Sequence, residues 1–161
     1  MPTIRSAHSS DADAIWEIIE PVVRAGETYT LPRDMTREDA LAYWFAAAHE
    51  PFVALDGGKV LGAYFIQANQ GGGGAHVANC GYMTHSAAQG KGIARAMLEH
   101  SLQRARERGF RAMQFNFVVS TNERAVKTWL SHGFEIVGRL PGAFNHPRFG
   151  FVDALVMYKQ L

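Results

Sequence analysis

The chain has 161 residues, of which 47% are hydrophobic and 19% charged, and its net charge is +1. This length predicts one domain over residues 1–161, and the composition excludes a disordered tail and a broadly basic nucleic-acid binder. A single cysteine, Cys80, excludes an intrachain disulfide and a thiolate zinc cluster, and the histidines lack metal-ligand spacing. No apolar stretch reaches the roughly 18–20 residues of a membrane span, and no apolar signal segment opens the chain, so we expect a cytoplasmic protein without a metal.

The first third of the chain carries two helical patterns. Apolar residues at helical spacing predict a helix over residues 11–23 that Pro21 should kink or end near Glu20. The segment from Thr36 to Asp39 resembles a capping box and predicts a second helix that ends near Ala48. Both helices are expected to pack one apolar face on the core.

A hairpin is predicted next. The apolar runs Phe52–Leu55 and Val60–Ala68 are joined by a segment that contains Gly57 and Gly58, and glycines supply the positive φ angles of a tight turn. Four glycines, Gly71–Gly74, predict a loose connector to the following strand. This part of the chain is therefore expected to lie in a β-sheet.

The second half of the chain alternates between the helical and the strand-like spacing of apolar residues. It predicts a strand over 76–84, a helix over 90–108, a strand over 113–119, a helix over 122–132, and strands over 134–138 and 149–159 that are separated by a loop. The predicted order is ααβββαβαββ. Strands that alternate with helices in one short domain indicate an α/β fold, with a mixed sheet flanked by helices on both faces.

The segment Gln89-Gly90-Lys91-Gly92-Ile93-Ala94 lies between a predicted strand and a long helix. Free amides at a helix start favour a phosphate, and glycines let the main chain approach it, while Lys91 and Arg95 add positive charge. The alternative is a plain helix entry with glycines in its turn. The spacing of a Walker loop and that of a dinucleotide fingerprint are both absent, so neither ATP nor NAD is indicated.

These residues match the Gln/Arg-x-x-Gly-x-Gly/Ala signature of the GNAT superfamily of N-acetyltransferases, which the sequence resembles. The stretch from Asn122 to Phe134 resembles a second family signature, in which an Asn opens a helix that ends in Gly-Phe. The resemblance implies a GNAT-like fold, acetyl-coenzyme A as cofactor, and a homodimer, which is frequent among relatives. Among the residues it implies at the cofactor are Met83, Thr84, the segment from Gln89 to Arg95, Asn122 and Trp129.

Residues 115–122 and 149–154 resemble two subgroups, the fungal proline-analogue (azetidine-2-carboxylate) acetyltransferases and the phosphinothricin-type amino-acid acetyltransferases. The fungal group carries Asn at the positions of Asn79 and Asn116, where they are implicated in substrate binding or catalysis. The resemblance therefore implies transfer of an acetyl group to the amine of a small amino acid or analogue, with Asn79 and Asn116 at the reaction site.

Two positions depart from the family pattern. Many members have a Tyr at the place of Trp129, and an indole N–H is too weak an acid to replace it. Phosphinothricin-type members have a Glu at the place of Asn79, and an amide cannot serve as a base. We therefore expect direct attack of the amine on the thioester, with a water removing the proton. The resemblance implies that the amides of Met83 and Thr84, with Tyr82 beside them, polarise the carbonyl.

Four residues are further candidates for the proton acceptor: His76 and His85 first, then Glu27 and His146. Cys80 is expected to be a buried hydrophobe and not a nucleophile. Two other functions stay open, a non-catalytic sensor of acyl-coenzyme A and an acetyltransferase of peptides or proteins. The loop over residues 140–147 argues against an open peptide groove.

Overall fold

The computed structural model describes residues 1–161, which form four helices and seven strands. In chain order these are β1 (Thr3–Ser6), α1 (Ala12–Ala25), α2 (Arg37–Trp44), β2 (Glu50–Asp56), β3 (Lys59–Ala68), β4 (Val77–Thr84), α3 (Ile93–Glu107), β5 (Ala112–Val119), α4 (Glu123–Ser131), β6 (Glu135–His146) and β7 (Gly150–Gln160). Apart from β1, the order is the predicted one.

All seven strands belong to one mixed sheet in the order β1-β2-β3-β4-β5-β7-β6, in which only β4 and β5 run parallel. Helices α1 and α2 pack on one face of the sheet, where Ile15 and Trp44 lie among the strand residues Val53 and Phe65. Helix α3 and the inner face of α4 cover the other face. The predicted α/β fold with helices on both faces is confirmed.

Two local predictions are confirmed in detail. The turn of the β2–β3 hairpin contains Gly57 and Gly58 at φ angles of 58° and 80°, a region that favours glycine. The hydroxyl of Thr36 accepts a hydrogen bond from the amide of Asp39 at 3.1 Å and so caps α2.

The first third of the chain differs from the prediction at three points. Strand β1 was not predicted, because it is a short and largely exposed edge strand without a clear alternation. Helix α1 continues through Pro21 to Ala25 and ends at Gly26, which has a φ of 65°. Pro21 lies on the exposed side, where water can hydrate the carbonyl that loses its helical partner. Helix α2 ends at Trp44, before the predicted Ala48.

The predicted loop over residues 139–148 is wrong. Strand β6 runs through most of it as far as His146 and pairs with β7 in a long hairpin. Pro141 and Gly142 occupy a bulge between the pairs Leu140–Ala154 and Phe144–Val152, so turn-forming residues are accommodated inside a strand. The glycine connector Gly71–Gly74 includes a short 3₁₀ turn.

The parallel pair β4–β5 is short, and this positions the site. The strands pair only at Val77–Ala112 and Ala78–Met113, after which no further register is formed between them. Strand β5 continues along β7, and β4 continues along β3. The sheet therefore opens between β4 and β5, and one edge of β4 faces the gap.

Candidate active site

A cavity of about 410 Å³ opens where β4 and β5 part. Its walls come from β4, β5, the start of α4 and the loop between α1 and α2. Asn79, Thr84, Asn116, Asn122 and Trp129 all line this cavity, and Ala94 of the glycine segment reaches it as well. Residues that lie far apart in the sequence are thus brought to one place.

The free edge of β4 presents alternate amides to the gap. The amide of His85 donates to Leu61 of β3, so the alternation of an antiparallel pair directs the Met83 amide to β3 as well. The amides of Tyr82 and Thr84 consequently point to the gap. The expectation for Met83 is corrected, because its amide belongs to the β3 ladder and its side chain packs beneath α1. The amide of Tyr82, and not that of Met83, therefore points to the gap together with the amide of Thr84.

The glycine segment has the geometry of an anion site. Gly90 and Gly92 have φ angles of 76° and 71°, and no neighbouring atom lies within 4 Å of the position of a Cβ at either residue. Helix α3 begins at Ile93, so the amides of its first residues lack helical carbonyl partners. The side chain of Ile93 is buried in the core, and this residue can contact a ligand only through its backbone.

The polar side chains of this segment are exposed at its rim. Lys91 lies 4.0 Å from a carboxylate oxygen of Asp56, and Arg95 pairs with Glu99 one helical turn later at 2.9 Å. Gln89 is exposed. Exposed pairs of this kind contribute little to stability, so both cations remain available to an anionic ligand.

Asn79 connects the two strands at the point where they separate. Its Nδ2 donates to the backbone oxygen of Gln114 in β5 at 2.9 Å, and its Oδ1 accepts from Gln67 of β3 at 3.3 Å. The side chain of Asn79 thus extends the hydrogen bonding between β4 and β5 by one position beyond the last register pair, Ala78–Met113. Both polar atoms of the amide are engaged within the protein, and the side chain fixes where the gap begins.

Asn116 owes its position to a bulge in β5. Asn116 and Phe117 lie between the register pairs Phe115–Met157 and Val118–Leu155, where the pairing with β7 shifts. The Oδ1 of Asn116 accepts from Gln114 at 2.9 Å, and its Nδ2 donates to Asn69 at 2.6 Å. A bulge beside a cavity redirects a side chain, and this one leaves Asn116 exposed at the wall.

Helix α4 contributes one polar end and one aromatic wall. Asn122 is the N-terminal cap residue of α4. Its side chain makes no capping hydrogen bond, so the side-chain amide is free to bind a ligand in the cavity. Trp129 packs against the rings of Tyr82 and Phe115, at centroid distances of 5.2 and 4.9 Å. The indole therefore supplies an apolar surface to the cavity.

None of the four candidate proton acceptors lines the cavity. His85 accepts from the amide of Ala87 at 3.0 Å and lies 3.3 Å from Glu17, while His76 belongs to a separate depression at the other end of β5. His146 is buried and accepts from two turn amides. Glu27 pairs with Arg148 at 3.3 Å.

Cys80 also lines the cavity wall but is not equipped as a nucleophile. Burial raises the pKa of its thiol to about 12, so the thiolate is scarce at neutral pH. This agrees with the expectation of a buried hydrophobe. Side chains of His, Cys, Asp and Glu form no group of three or more that could hold a metal ion.

The residues that form the opposite wall were not predicted from the sequence. The loop between α1 and α2 brings Thr28, Tyr29 and Thr30 into the cavity, next to Tyr43 and Phe65. Thr28 to Thr30 precede the first residue of β4 by 47 to 49 positions and carry no motif of their own. Arg124 at the start of α4 was likewise missed and is the only charged residue in the lining.

Comparison with known proteins identifies the class of this fold and site. The sequence model of the acetyltransferase (GNAT) family matches residues 13–134, which is more than half of the chain. The chain therefore belongs to the GNAT acetyltransferase family, and it is an N-acetyltransferase. No helix is both long enough and apolar enough to cross a membrane.

Particular relatives share nearly the whole fold. A GCN5-related N-acetyltransferase from Kribbella flavida is 40% identical, with a TM-score of 0.94 over 99% of this chain and 98% of that one. yncA, a putative acetyltransferase from Salmonella typhimurium solved with acetyl-CoA, is 26% identical, with a TM-score of 0.86 over 100% and 94% of the two chains.

N-acetyltransferase aca1 of Schizosaccharomyces pombe is 26% identical over 83% of this chain and 72% of its own length. One further structure, a putative phosphinothricin N-acetyltransferase, is 22% identical with a TM-score of 0.87 over 100% and 99% of the chains, which shows the common fold alone. The family uses acetyl-CoA.

Proposed function

We propose that this protein transfers the acetyl group of acetyl-CoA to the amine of a small amino acid or amino-acid analogue. The observation that carries the proposal is the gap between β4 and β5, where a free strand edge, a glycine-rich helix entry and two asparagines meet at one cavity. The cytoplasmic location expected from the sequence stays a prediction.

The residues fit acetyl-CoA in two ways. The free amides at the start of α3 and the open space beside Gly90 and Gly92 suit a diphosphate, with Lys91 and Arg95 at the rim. The amide of Thr84 and the side chain of Asn122 face the gap, where an extended amide chain can bind as a strand does. Acetyl-CoA supplies an activated thioester, which needs no covalent protein intermediate.

The transfer requires few chemical groups from the protein. A bond forms between the amine nitrogen and the acetyl carbon, and the bond from that carbon to sulfur breaks. Coenzyme A leaves as the thiolate and takes up a proton, and the amine gives its own proton to water. Positioning of the two reactants and stabilisation of the charge on the carbonyl oxygen supply most of the acceleration.

The lining favours an amine that reacts in its neutral form. No carboxylate lines the cavity, and the single charge is the cation of Arg124. A neighbouring positive charge and partial desolvation both lower the pKa of a bound amine. The same guanidinium can bind a carboxylate, which agrees with an amino acid as acceptor.

The rim of the cavity favours a small acceptor. The turn between β6 and β7 carries Arg148, whose ion pair with Glu27 ties it to the loop that holds Thr28 to Thr30. The β6–β7 turn is therefore held next to the loop that forms one wall of the cavity. This supports a small molecule over a protein substrate.

A direct assay tests the proposal. The protein is mixed with acetyl-CoA and a panel of amino acids and analogues, including azetidine-2-carboxylate and phosphinothricin, and thiol release is followed. Turnover with a member of the panel is the expected result. Binding of acetyl-CoA without any turnover would indicate the sensor, and turnover with a peptide array alone would indicate a protein acetyltransferase.

Asn116→Ala is expected to lower turnover by about 10- to 100-fold while the affinity for acetyl-CoA stays as in the wild type, because the exposed amide lies on the acceptor side. Steady-state kinetics with the best panel member measure the turnover, and calorimetry measures the affinity for acetyl-CoA. Gln103→Ala, which removes an exposed side-chain amide from α3 outside the cavity, is the control and should behave as wild type. Wild-type turnover in Asn116→Ala would remove this residue from the site.

We also propose a homodimer through strand β6. Most of its residues are exposed, and five exposed apolar side chains are distributed along the β6–β7 hairpin: Ile136, Val137, Leu140, Phe149 and Phe151. Phe149 and Phe151 are 61% and 77% exposed, which is unusual for aromatic residues of a monomer.

Val137→Lys is expected to convert the dimer to a monomer, since a charge at a buried apolar contact is costly. Light scattering after size exclusion measures the mass. Leu130→Lys, which alters an exposed leucine of α4 outside this hairpin, is the control and should remain dimeric. A wild-type protein that is monomeric throughout would contradict the proposal.

A further inference from the structure

The hydroxyl of Tyr29 occupies the free edge of β4. Its oxygen accepts a hydrogen bond from the amide of Tyr82 at 2.9 Å and donates to the carbonyl of the same residue at 2.5 Å. Tyr29 comes from the loop between α1 and α2, which is 53 positions away along the chain. A side-chain hydroxyl therefore takes the place of a neighbouring strand.

This contact lies at the gap. Pairing between β4 and β5 ends at Ala78, and Tyr82 is four residues further along β4. The amide of Tyr82 points away from β3, as that of Thr84 does, and it lies nearer along β4 to Asn79, on the proposed acceptor side of the cavity. The hydroxyl thus marks a place where this chain already binds an oxygen atom to a β4 amide.

The phenol is held in its neutral form. Burial raises the pKa of Tyr29 well above its ordinary value, so the group keeps its proton at neutral pH. A neutral phenol is a donor to oxygen, whereas it is neither a base nor a ready acid here. Trp129 packs beside Tyr82 and offers no comparable hydroxyl.

We propose that Tyr29 is a catalytic residue whose hydroxyl donates a hydrogen bond to the thioester carbonyl oxygen of acetyl-CoA, beside the amide of Tyr82. The inference rests on the proposed function. The thioester oxygen replaces the Tyr29 oxygen as the acceptor for the Tyr82 amide. The Tyr29 hydroxyl then rotates, so that it donates to the thioester oxygen and no longer to the Tyr82 carbonyl. Two donors then meet the negative charge that grows there during transfer.

Tyr29→Phe removes the donor and keeps the ring. The expected result is a fall in kcat of about 100- to 1,000-fold, as for the loss of one donor to such an oxygen. The affinity for coenzyme A, which has no acyl group, should stay as in the wild type by calorimetry. Tyr158→Phe, which removes a phenol hydroxyl that lines a separate depression on β7, is the control and should leave both values unchanged.

A spectroscopic measurement separates a donor from a structural residue. With acetyl-CoA labelled with ¹³C at the carbonyl, the infrared band of the bound thioester should move to higher frequency in Tyr29→Phe than in the wild type. Site-specific 3-fluorotyrosine at position 29 is a more acidic donor of nearly the same shape and should move the band to lower frequency. This second variant keeps the test independent of any loss of folding in Tyr29→Phe.

The outcomes are distinct. An unchanged carbonyl band in both variants, or a Tyr29→Phe enzyme that keeps its kcat and binds acetyl-CoA more tightly, would overturn the proposal and make the hydroxyl a mere occupant of the empty site. A shifted band with lowered kcat supports it. A wild-type protein that binds acetyl-CoA but acetylates no amine would instead refute the proposed function, while the band shift would still report on Tyr29.

Discussion

Gly92→Val is expected to abolish measurable binding of coenzyme A and acetyl-CoA, and with it all turnover. Gly92 has a φ of 71°, where a β-branched residue is strained by at least about 1–2 kcal/mol. Nothing lies within 4 Å of the position of the new Cβ, so relief comes from a change in the backbone and not from a clash. That change moves the amides at the start of α3 away from a bound diphosphate.

The expected loss of affinity exceeds 100-fold, because strain and lost amide contacts add. Calorimetry with coenzyme A measures it. Gly109→Val is the matched control: it has a φ of 81° and equal open space, but it lies at the opposite end of α3. It should be strained to the same degree and still bind coenzyme A. If Gly92→Val bound coenzyme A as tightly as the wild type does, the assignment of the glycine segment as the diphosphate site would be refuted.

Asn79→Ala is expected to lower both the stability and the turnover of the enzyme. The truncation leaves the carbonyl of Gln114 and the amide of Gln67 without their partners, and each such group costs about 1–3 kcal/mol when it stays buried. The strands then lose the tie that fixes where their gap begins. We expect a drop of about 2 kcal/mol in the free energy of unfolding and turnover at least tenfold lower.

Urea unfolding and steady-state kinetics measure these two effects. Asn116→Ala is the informative comparison, since its amide is exposed and should cost turnover without a comparable loss of stability. An Asn79→Ala enzyme that is as stable as the wild type, with lowered turnover alone, would return Asn79 to the role of a pure substrate ligand.

The proposed cofactor side of the site could be predicted from local sequence more directly than the proposed acceptor side. The segment from Gln89 to Arg95 is local, so the spacing of Gly90 and Gly92 and the start of a helix can be read directly from the chain. Asn79 and Asn116 were found through resemblance. Their different surroundings, one tied between two strands and one exposed in a bulge, follow from cross-strand contacts that no local pattern encodes.

The error at Met83 has a similar cause. A strand of period two indicates which residues share a face, and it does not say which edge bonds to which neighbour. Only the register with β3 directs the Met83 amide to β3 and the amides of Tyr82 and Thr84 toward the gap. The missed wall at Tyr29 likewise depends on where an irregular loop folds back.

The amino-acid sequence by itself determined the fold class, the order of all elements after β1 and the family, and it predicts an anion-binding segment. These depend on contacts between residues close in the chain, where periodicity, caps and glycine conformations act. The tertiary structure decided where β4 and β5 part, which amides remain free, and that Tyr29 reaches Tyr82. Such features arise from pairings between distant segments, whose register is set by the packing of the whole sheet.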